Sequence, residues 1–267
     1  MLEAKKEDIV KLLKNTQRMA VINGKLMPQV QGCIIKPVGE SSVETVSLVR
    51  DGITSVARMT ADVVQAKEEV VVPDIEKLLG ALKAHSGLIK IAQTDEKLRI
   101  KSARKQTTLT ASKDALAFPH TTLTIAEWDA KSRELMNKIN TNGYRLQDGT
   151  LVEYHQEVML TPTGLADAIN AGNINGQKVA RYSFTQGADG LRLRVGDELK
   201  GESVSQIAEE SDLVYKDRSF EMVCEGGLEN LDLGEMNINI LDFREQGQGF
   251  HLVLDSQGGM VYQRGIA

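Results

Sequence analysis

Residues 7–18 read EDIVKLLKNTQR, a run in which apolar and charged positions recur every three or four places. At about 100° per residue, Ile9, Leu12, Leu13 and Thr16 fall on one side, and Lys11, Lys14 and Arg18 on the other. The spacing predicts a helix over about residues 5–19 that buries its apolar side and leaves a basic side free. Three strand-like runs follow, MPQVQGCIIKPV, SVETVSLVR and GITSVARMTADV, the last two separated by the hairpin pair Asp51 and Gly52. EEVVV then leads into a second helix, PDIEKLLGALKAH, with Pro73 suited to its first turn and Asp74 and Glu76 near its positive end. Ile75, Leu78, Leu79 and Leu82 form its apolar stripe. GLIKIAQ, EKLRIKSA and KQTTLTA complete a unit of one strand, one helix and three strands.

The second half repeats this order. YHQEVML runs into a helix opened by Thr161 and Pro162, TPTGLADAINAG, and then into QKVARYSFTQ, GLRLRVGDEL and ESVSQIAEE. SFEMVCEG enters a short helical turn around GLENLDL, before EMNINILDFREQ, QGFHLVLDS and GGMVYQRG. The unit recurs four times, as a repeat of pattern without shared sequence. Between the halves, LTIAEWDAKSRELMNKIN predicts a helix of its own. Thr124 is its N-cap with Glu127 three residues on, Leu123 can staple against Trp128, and Gly143 can end it. The expected organisation is an N-terminal domain over 1–111, a connector with an inserted helix over 112–153, and a C-terminal domain over 154–267.

A hydrophobic content of 41% and a charged content of 26% fit a globular chain. No apolar run approaches the roughly 20 residues of a spanning helix, and the opening MLEAKKED lacks the apolar stretch of a secretory leader. A cytosolic or nuclear protein with no membrane partner is expected. The formal net charge is −5, unevenly divided: 19 Lys and Arg face 14 Asp and Glu up to Asp114, and 13 face 23 after it. A basic first half points to a polyanion partner. Cys33 and Cys224 are far apart and without metal-site spacing, so both are expected to be apolar fillers. His85, His120, His155 and His251 show no ligand spacing. There is no GxSxG, no P-loop and no GxGxxG after a strand. Adjacent carboxylates such as Glu209 and Glu210 point to different faces. No catalytic constellation, cofactor or metal is expected.

A chain of two such domains, each of two strand-helix-three-strand units, resembles the DNA sliding clamps, both the proliferating cell nuclear antigen family and phage clamps of similar size. The resemblance rests on MLEA before the first helix, KPVGESSVETVSLV, KLRIKSARKQTTLTA, VMLTPTGLADAI and GGMVYQRGIA. It covers nearly all the chain apart from the connector. It implies an α+β clamp fold in which three chains form a homotrimeric ring, with helices lining the hole and sheets outside. It also implies a non-enzymatic processivity factor that encircles double-stranded DNA without reading sequence and tethers a DNA polymerase. Such a factor is placed by a clamp loader, in the cytoplasm of a prokaryotic or virus-infected cell or in a nucleus.

Carried onto this sequence, the resemblance assigns Lys11, Lys14 and Arg18 to the lumen, with Lys77 and, nearer the flank, Lys83 of the second helix. The small residues Gly80, Ala81 and Ala84 beside them leave room for DNA. Contacts to phosphate carry no sequence information and are exchanged as a duplex moves. The helices of the second half offer Asp167, Asn170 and Asn173, then Glu229 and Asp232, so the basic lining is expected in the first domain alone. Negative charge elsewhere is expected to keep DNA off the outer surface. Partner peptides of the family dock in an apolar groove, matched here by Val38, Val43, Leu116, Phe118, Tyr262 and Ile266. Chains of the family join through edge strands, here KQTTLTA and ESVSQIAEE, with Arg104 and Lys105 near one and Glu209 and Glu210 near the other. Two other readings stand beside this one: a monomeric or hetero-ring clamp-like subunit holding DNA by charge, and a β-rich structural or interaction protein with no DNA role.

Overall fold

Alternating apolar and polar positions become strand along most of the chain. The computed structural model describes residues 1–22, 25–28, 30–48, 55–94, 96–112, 114–117, 121–160, 165, 167–169, 181–197, 201–225, 228 and 231–265. The first elements are β1 (Leu2–Lys5), α1 (Lys6–Gln17), β2 (Met19–Ile22), β3 (Lys25–Pro28), β4 (Cys33–Pro37), β5 (Ser42–Leu48), β6 (Ser55–Asp62), β7 (Gln65–Ala66), β8 (Val70–Val72) and α2 (Ile75–Leu82). Next come β9 (Leu88–Gln93), β10 (Lys97–Ser102), β11 (Lys105–Thr110), α3 (Ile125–Met136), β12 (Ile139–Asn140) and β13 (Gly143–Arg145). The rest is mainly strand: β14 (Leu151–Leu160), β15 (Arg181–Gly187), β16 (Gly190–Asp197), β17 (Gly201–Glu209), β18 (Phe220–Glu225), β19 (Met236–Asp242), β20 (Phe250–Ser256) and β21 (Gly259–Arg264). Leu165 and residues 167–169 are helical.

These elements divide into two compact units. Unit 1 holds Met1–Gln17, Val30–Leu48 and Ala57–Glu134, and unit 2 holds Arg18–Gln29, Val49–Val56 and Leu135–Ala267. In unit 1 a five-stranded sheet runs β11-β10-β9-β1-β7, and a second set of strands runs β6-β5-β4-β8. In unit 2 one set runs β12-β13-β14-β19-β20-β21, another runs β17-β16-β15-β18, and β2 pairs with β3. The lead strand of each repeat is exchanged. β1 precedes α1 yet pairs with β9, and β8 precedes α2 yet pairs with β4. Unit 2 does the same, with β14 on β19 and β18 on β15.

Strand alternation sorts each sheet into two faces. Ile89 and Ile91 of β9 and Leu98 and Ile100 of β10 are at most 1% exposed, while Lys90, Lys97, Arg99 and Lys101 between them are exposed. α2 lies on the buried side, since His85, three residues past its end, reaches Ser102 Oγ and Thr107 Oγ1, both at 2.9 Å. In unit 2 the same role falls to Tyr182 and Phe184 of β15 and to Leu191, Leu193 and Val195 of β16. Each large apolar side chain removed from water in this way stabilises the fold by roughly 1.5–3 kcal/mol.

The connector helix forms as its punctuation predicts. Glu127 N–H donates to Thr124 Oγ1 at 3.3 Å and Thr124 N–H to Glu127 Oε2 at 2.8 Å, which closes the capping box. The helix is anchored in unit 1. Ile125 packs with Ile34, Val71 and Ala117, Trp128 Nε1 donates to Leu48 O at 3.0 Å, and Lys36 Nζ meets Asp129 Oδ2 at 2.7 Å. It ends at Met136, earlier than Gly143. Gly143 instead opens β13 at φ +145°, where a Cβ would stand 2.0 Å from Val152 O, so the close approach of β14 requires glycine. Asp51, Gly52, Thr161 and Pro162 lie outside the described residues.

Candidate nucleic-acid interface

α1 carries Glu7 and Asp8 in its first turn and Lys14 in its last, each placed to favour the helix dipole. Ile9, Leu12, Leu13 and Thr16 are buried as the periodicity predicts, and Thr16 Oγ1 donates to Leu12 O at 2.7 Å. Lys11 and Lys14 are exposed. Asn15, Thr16 and Gln17 are buried, so Lys14 is the one exposed residue of the last turn.

Arg18 is a correction to the expected basic face. The helix stops at Gln17, and Arg18 turns to φ +38°, out of the helical register that the 100° count assumes. The residue is 1% exposed, with Nη1 donating to Ser55 Oγ at 2.7 Å and Nε and Nη2 lacking a hydrogen-bond partner among the described residues. Burial lowers its pKa to about 10. A side chain so placed is not part of the exposed basic face of α1.

α2 begins at an N-cap, Asp74, whose carboxylate accepts the Lys77 N–H at 2.9 Å; Pro73 therefore precedes the cap instead of occupying the first turn. Ile75, Leu78 and Leu82 are buried and Leu79 is half-buried. Lys77 and Lys83 are exposed, with Lys77 Nζ 3.4 Å from Asp74 Oδ2. Gly80 and Ala84 are exposed too, and a Cβ at Gly80 would meet nothing within 4 Å. α1 and α2 pack against each other, which brings Lys11, Lys14, Lys77 and Lys83 onto neighbouring helices of unit 1, with Glu7 and Glu76 exposed among them. In unit 2 Leu165 and Ile169 are buried and Asp167 and Asp232 exposed; Asn170, Asn173 and Glu229 lie outside the described residues.

The six groove positions separate. Val38 and Leu116 are 49% and 48% exposed, whereas Val43 and Tyr262 are 1% and 4% exposed. Val43 and Tyr262 are core residues instead of groove lining, a second correction. Val43 sits on the inward side of β5, and Tyr262 OH is held by His251 Nδ1 at 2.6 Å with its ring stacked on Tyr144. Phe118 and Ile266 lie outside the described residues. The two edge strands are β11 and β17, each the last strand of its sheet. Arg104, Lys105, Glu209 and Glu210 are all exposed beside them.

Two of the remaining histidines pack against partners within the fold. His155 Nδ1 lies 3.8 Å from Asp242 Oδ2, and His251 is stacked on Phe243 at 4.3 Å; His120 is outside the described residues. Cys33 and Cys224 are buried and unbridged, and burial pushes both thiols up. Among the described residues no three His, Cys, Asp or Glu gather as a metal site, and no helix is long and apolar enough to cross a membrane.

No protein-family model matches this chain, and no curated protein matches it. Solved structures do. A DNA polymerase sliding clamp from Caulobacter crescentus superposes with a TM-score of 0.60 at 12% identity, covering 100% of this chain and 65% of that one. The Helicobacter pylori beta clamp bound to a DNA ligase peptide gives 0.57 at 13%, covering 99% and 66%. The beta subunit from DNA polymerase of Streptococcus pyogenes gives 0.59 at 9%, covering 99% and 65%. The chain thus spans less than two thirds of the length of these clamps, and its fold is that of the DNA sliding clamps.

Proposed function

We propose, from the sliding-clamp fold, that this chain is a DNA polymerase processivity factor, closing into a ring of three copies around duplex DNA. The observation that carries the reading is the pair of packed helices in unit 1 whose exposed cations are Lys11, Lys14, Lys77 and Lys83. Lysines on helical surface offer phosphates exchangeable contacts and no base readout, which suits a protein that must move along DNA. The ring holds DNA by topology, so the contacts need not be tight. The open edges of β11 and β17 join neighbouring copies, with Arg104 and Lys105 opposite Glu209 and Glu210. Exposed Val38 and Leu116 contribute to docking partner peptides, the polymerase and clamp loader among them. The DNA ligase peptide on one matched clamp supports this role. No step of chemistry is assigned to the chain, which works in the compartment where DNA is copied.

Native mass and retention on circular DNA test the reading together. The expected mass is three times the 29.3 kDa of one chain, with the loaded protein retained on a closed plasmid and lost when the plasmid is cut. Lys11→Glu with Lys14→Glu should weaken polymerase stimulation and reduce the salt slope of DNA binding by about 2, leaving the mass unchanged. A mass of one chain, with DNA bound only by charge, overturns the ring in favour of a monomeric clamp-like subunit.

A further inference from the structure

The five-stranded sheet of unit 1 has a second surface. Opposite the side covered by α2 it presents Lys5 of β1, Lys90 of β9, and Lys97, Arg99 and Lys101 of β10, all exposed. Register gathers them: Lys101 stands opposite Lys90, Arg99 opposite Ala92 and Thr108, and Lys97 opposite Thr110. With alternate residues about 7 Å apart and strands about 4.8 Å apart, these cations occupy one compact field. Glu3, the one carboxylate in the five strands, is held by Lys90 Nζ at 3.0 Å. Lys97, Arg99 and Lys101 form no ion pair among the described residues.

Folding does not account for this field. Like charges directly opposite each other destabilise a sheet. Charges that guard an open edge belong on the edge strand, which is β11, whereas β9 and β10 are interior strands. The face therefore suits an anionic occupant. A protein partner needs an aromatic or apolar anchor, yet these strands contain no aromatic residue, and Leu88 is their one large exposed apolar side chain. Unpaired bases need aromatic platforms, also missing here. The phosphate backbone of a duplex needs only charge and hydroxyl donors, which the lysines, Arg99, Thr108 and Thr110 supply.

We propose that this sheet face is a second docking surface for duplex nucleic acid. It is separate from the helix surface of the ring reading and does not depend on ring closure, because α2 and these cations lie on opposite sides of one sheet. It is also an exception to the expectation that negative charge keeps DNA off the outside.

The test is the salt dependence of binding a labelled blunt duplex of about 12 base pairs to the full chain, followed by anisotropy between about 50 and 200 mM salt. Lys97→Glu with Arg99→Glu and Lys101→Glu should weaken binding by about tenfold or more at the low end and reduce the salt slope by about 2.7. The triple Gln variant should lose the same slope while melting no lower than the wild type, which separates lost charge from lost fold. Lys11→Glu with Lys14→Glu should leave this share of the slope in place. Unchanged affinity and slope in both triple variants overturn the proposal, as does binding of poly-glutamate without binding of duplex, which would give the face to an acidic protein. Failure of the ring reading is seen elsewhere, in a one-chain mass or loss from closed plasmid while the sheet-face slope persists.

Discussion

In unit 1 the strands β9, β10 and β11 take β1 as their fourth neighbour, and in unit 2 β15, β16 and β17 take β18 in the same place. The buried faces of the two sheets are alike, Ile89, Ile91, Leu98 and Ile100 in one, Tyr182, Phe184, Leu191 and Leu193 in the other. Their outer faces diverge. In unit 2 Arg192 pairs with Asp189, Arg194 lies 3.6 Å from Glu202, and Arg181 stands opposite Glu225. In unit 1 three cations of β10 have no such partner among the described residues. Packing dictates the inner faces, which must fill a core at fixed volume. Nothing internal dictates the outer ones, so a difference there points to what each sheet meets.

The largest effects should show the inner faces to be equivalent. Phe184→Ala is expected to cost about 3–5 kcal/mol and Ile100→Ala about 2–5, both read from urea midpoints. A cost well under these for either one alone would break the parallel.

A buried histidine in each unit gives the next contrast. His251 is 1% exposed, and burial, with Arg264 nearby, lowers its pKa to about 4. That lies below the unfolded value of about 6.5, so the neutral ring's contribution is complete above that pH and disappears as pH falls towards 4. The loss is roughly 3 kcal/mol. Urea unfolding across this window should be less pH-dependent in His251→Gln. His85 is also shifted down, by burial and Lys105, but its two ring nitrogens face hydroxyls able to accept from the charged ring. His85→Gln should therefore change the pH profile less.

Smaller effects distinguish the outer surfaces. Gly80→Ala on the open side of α2 should raise stability by about 0.5–1 kcal/mol, since the new methyl group meets nothing, and a thermal melt would show it. Arg194→Gln in unit 2 should cost up to about 0.5 kcal/mol by removing an exposed ion pair. Lys101→Gln in unit 1 should gain a few tenths by relieving Lys90. Equal signs for the last two would erase the distinction between the faces.

Much of this architecture is legible from spacing because burial on one face imposes a period of two or 3.6 on the residues themselves. β9, β10 and β11 fall where GLIKIAQ, EKLRIKSA and KQTTLTA predict them, and the Thr124–Glu127 capping box is readable as a local pair. Arg18 was not legible, because a helical wheel carries no information on where the helix stops, and only the tertiary site around Ser55 buries the guanidinium. The β2–β3 hairpin falls largely between the predicted helix and the first predicted strand, where the spacing predicts no element, although Asn23 and Gly24 between MAVI and KLMP are a hairpin signal in the sequence. The cations of β10 were visible as letters, but which face they share, and that it lies opposite α2, depends on strand pairing at long range.

The exchange of lead strands means that neither half of a unit is a self-sufficient object. β1 must find β9 more than eighty positions along the chain, and β8 must find β4, before either sheet is whole. Assembly of unit 1 is thus a meeting of distant segments, slow by topology. Its two halves, expressed as separate polypeptides, would each offer the other a missing strand, as two hands clasp by interlacing fingers.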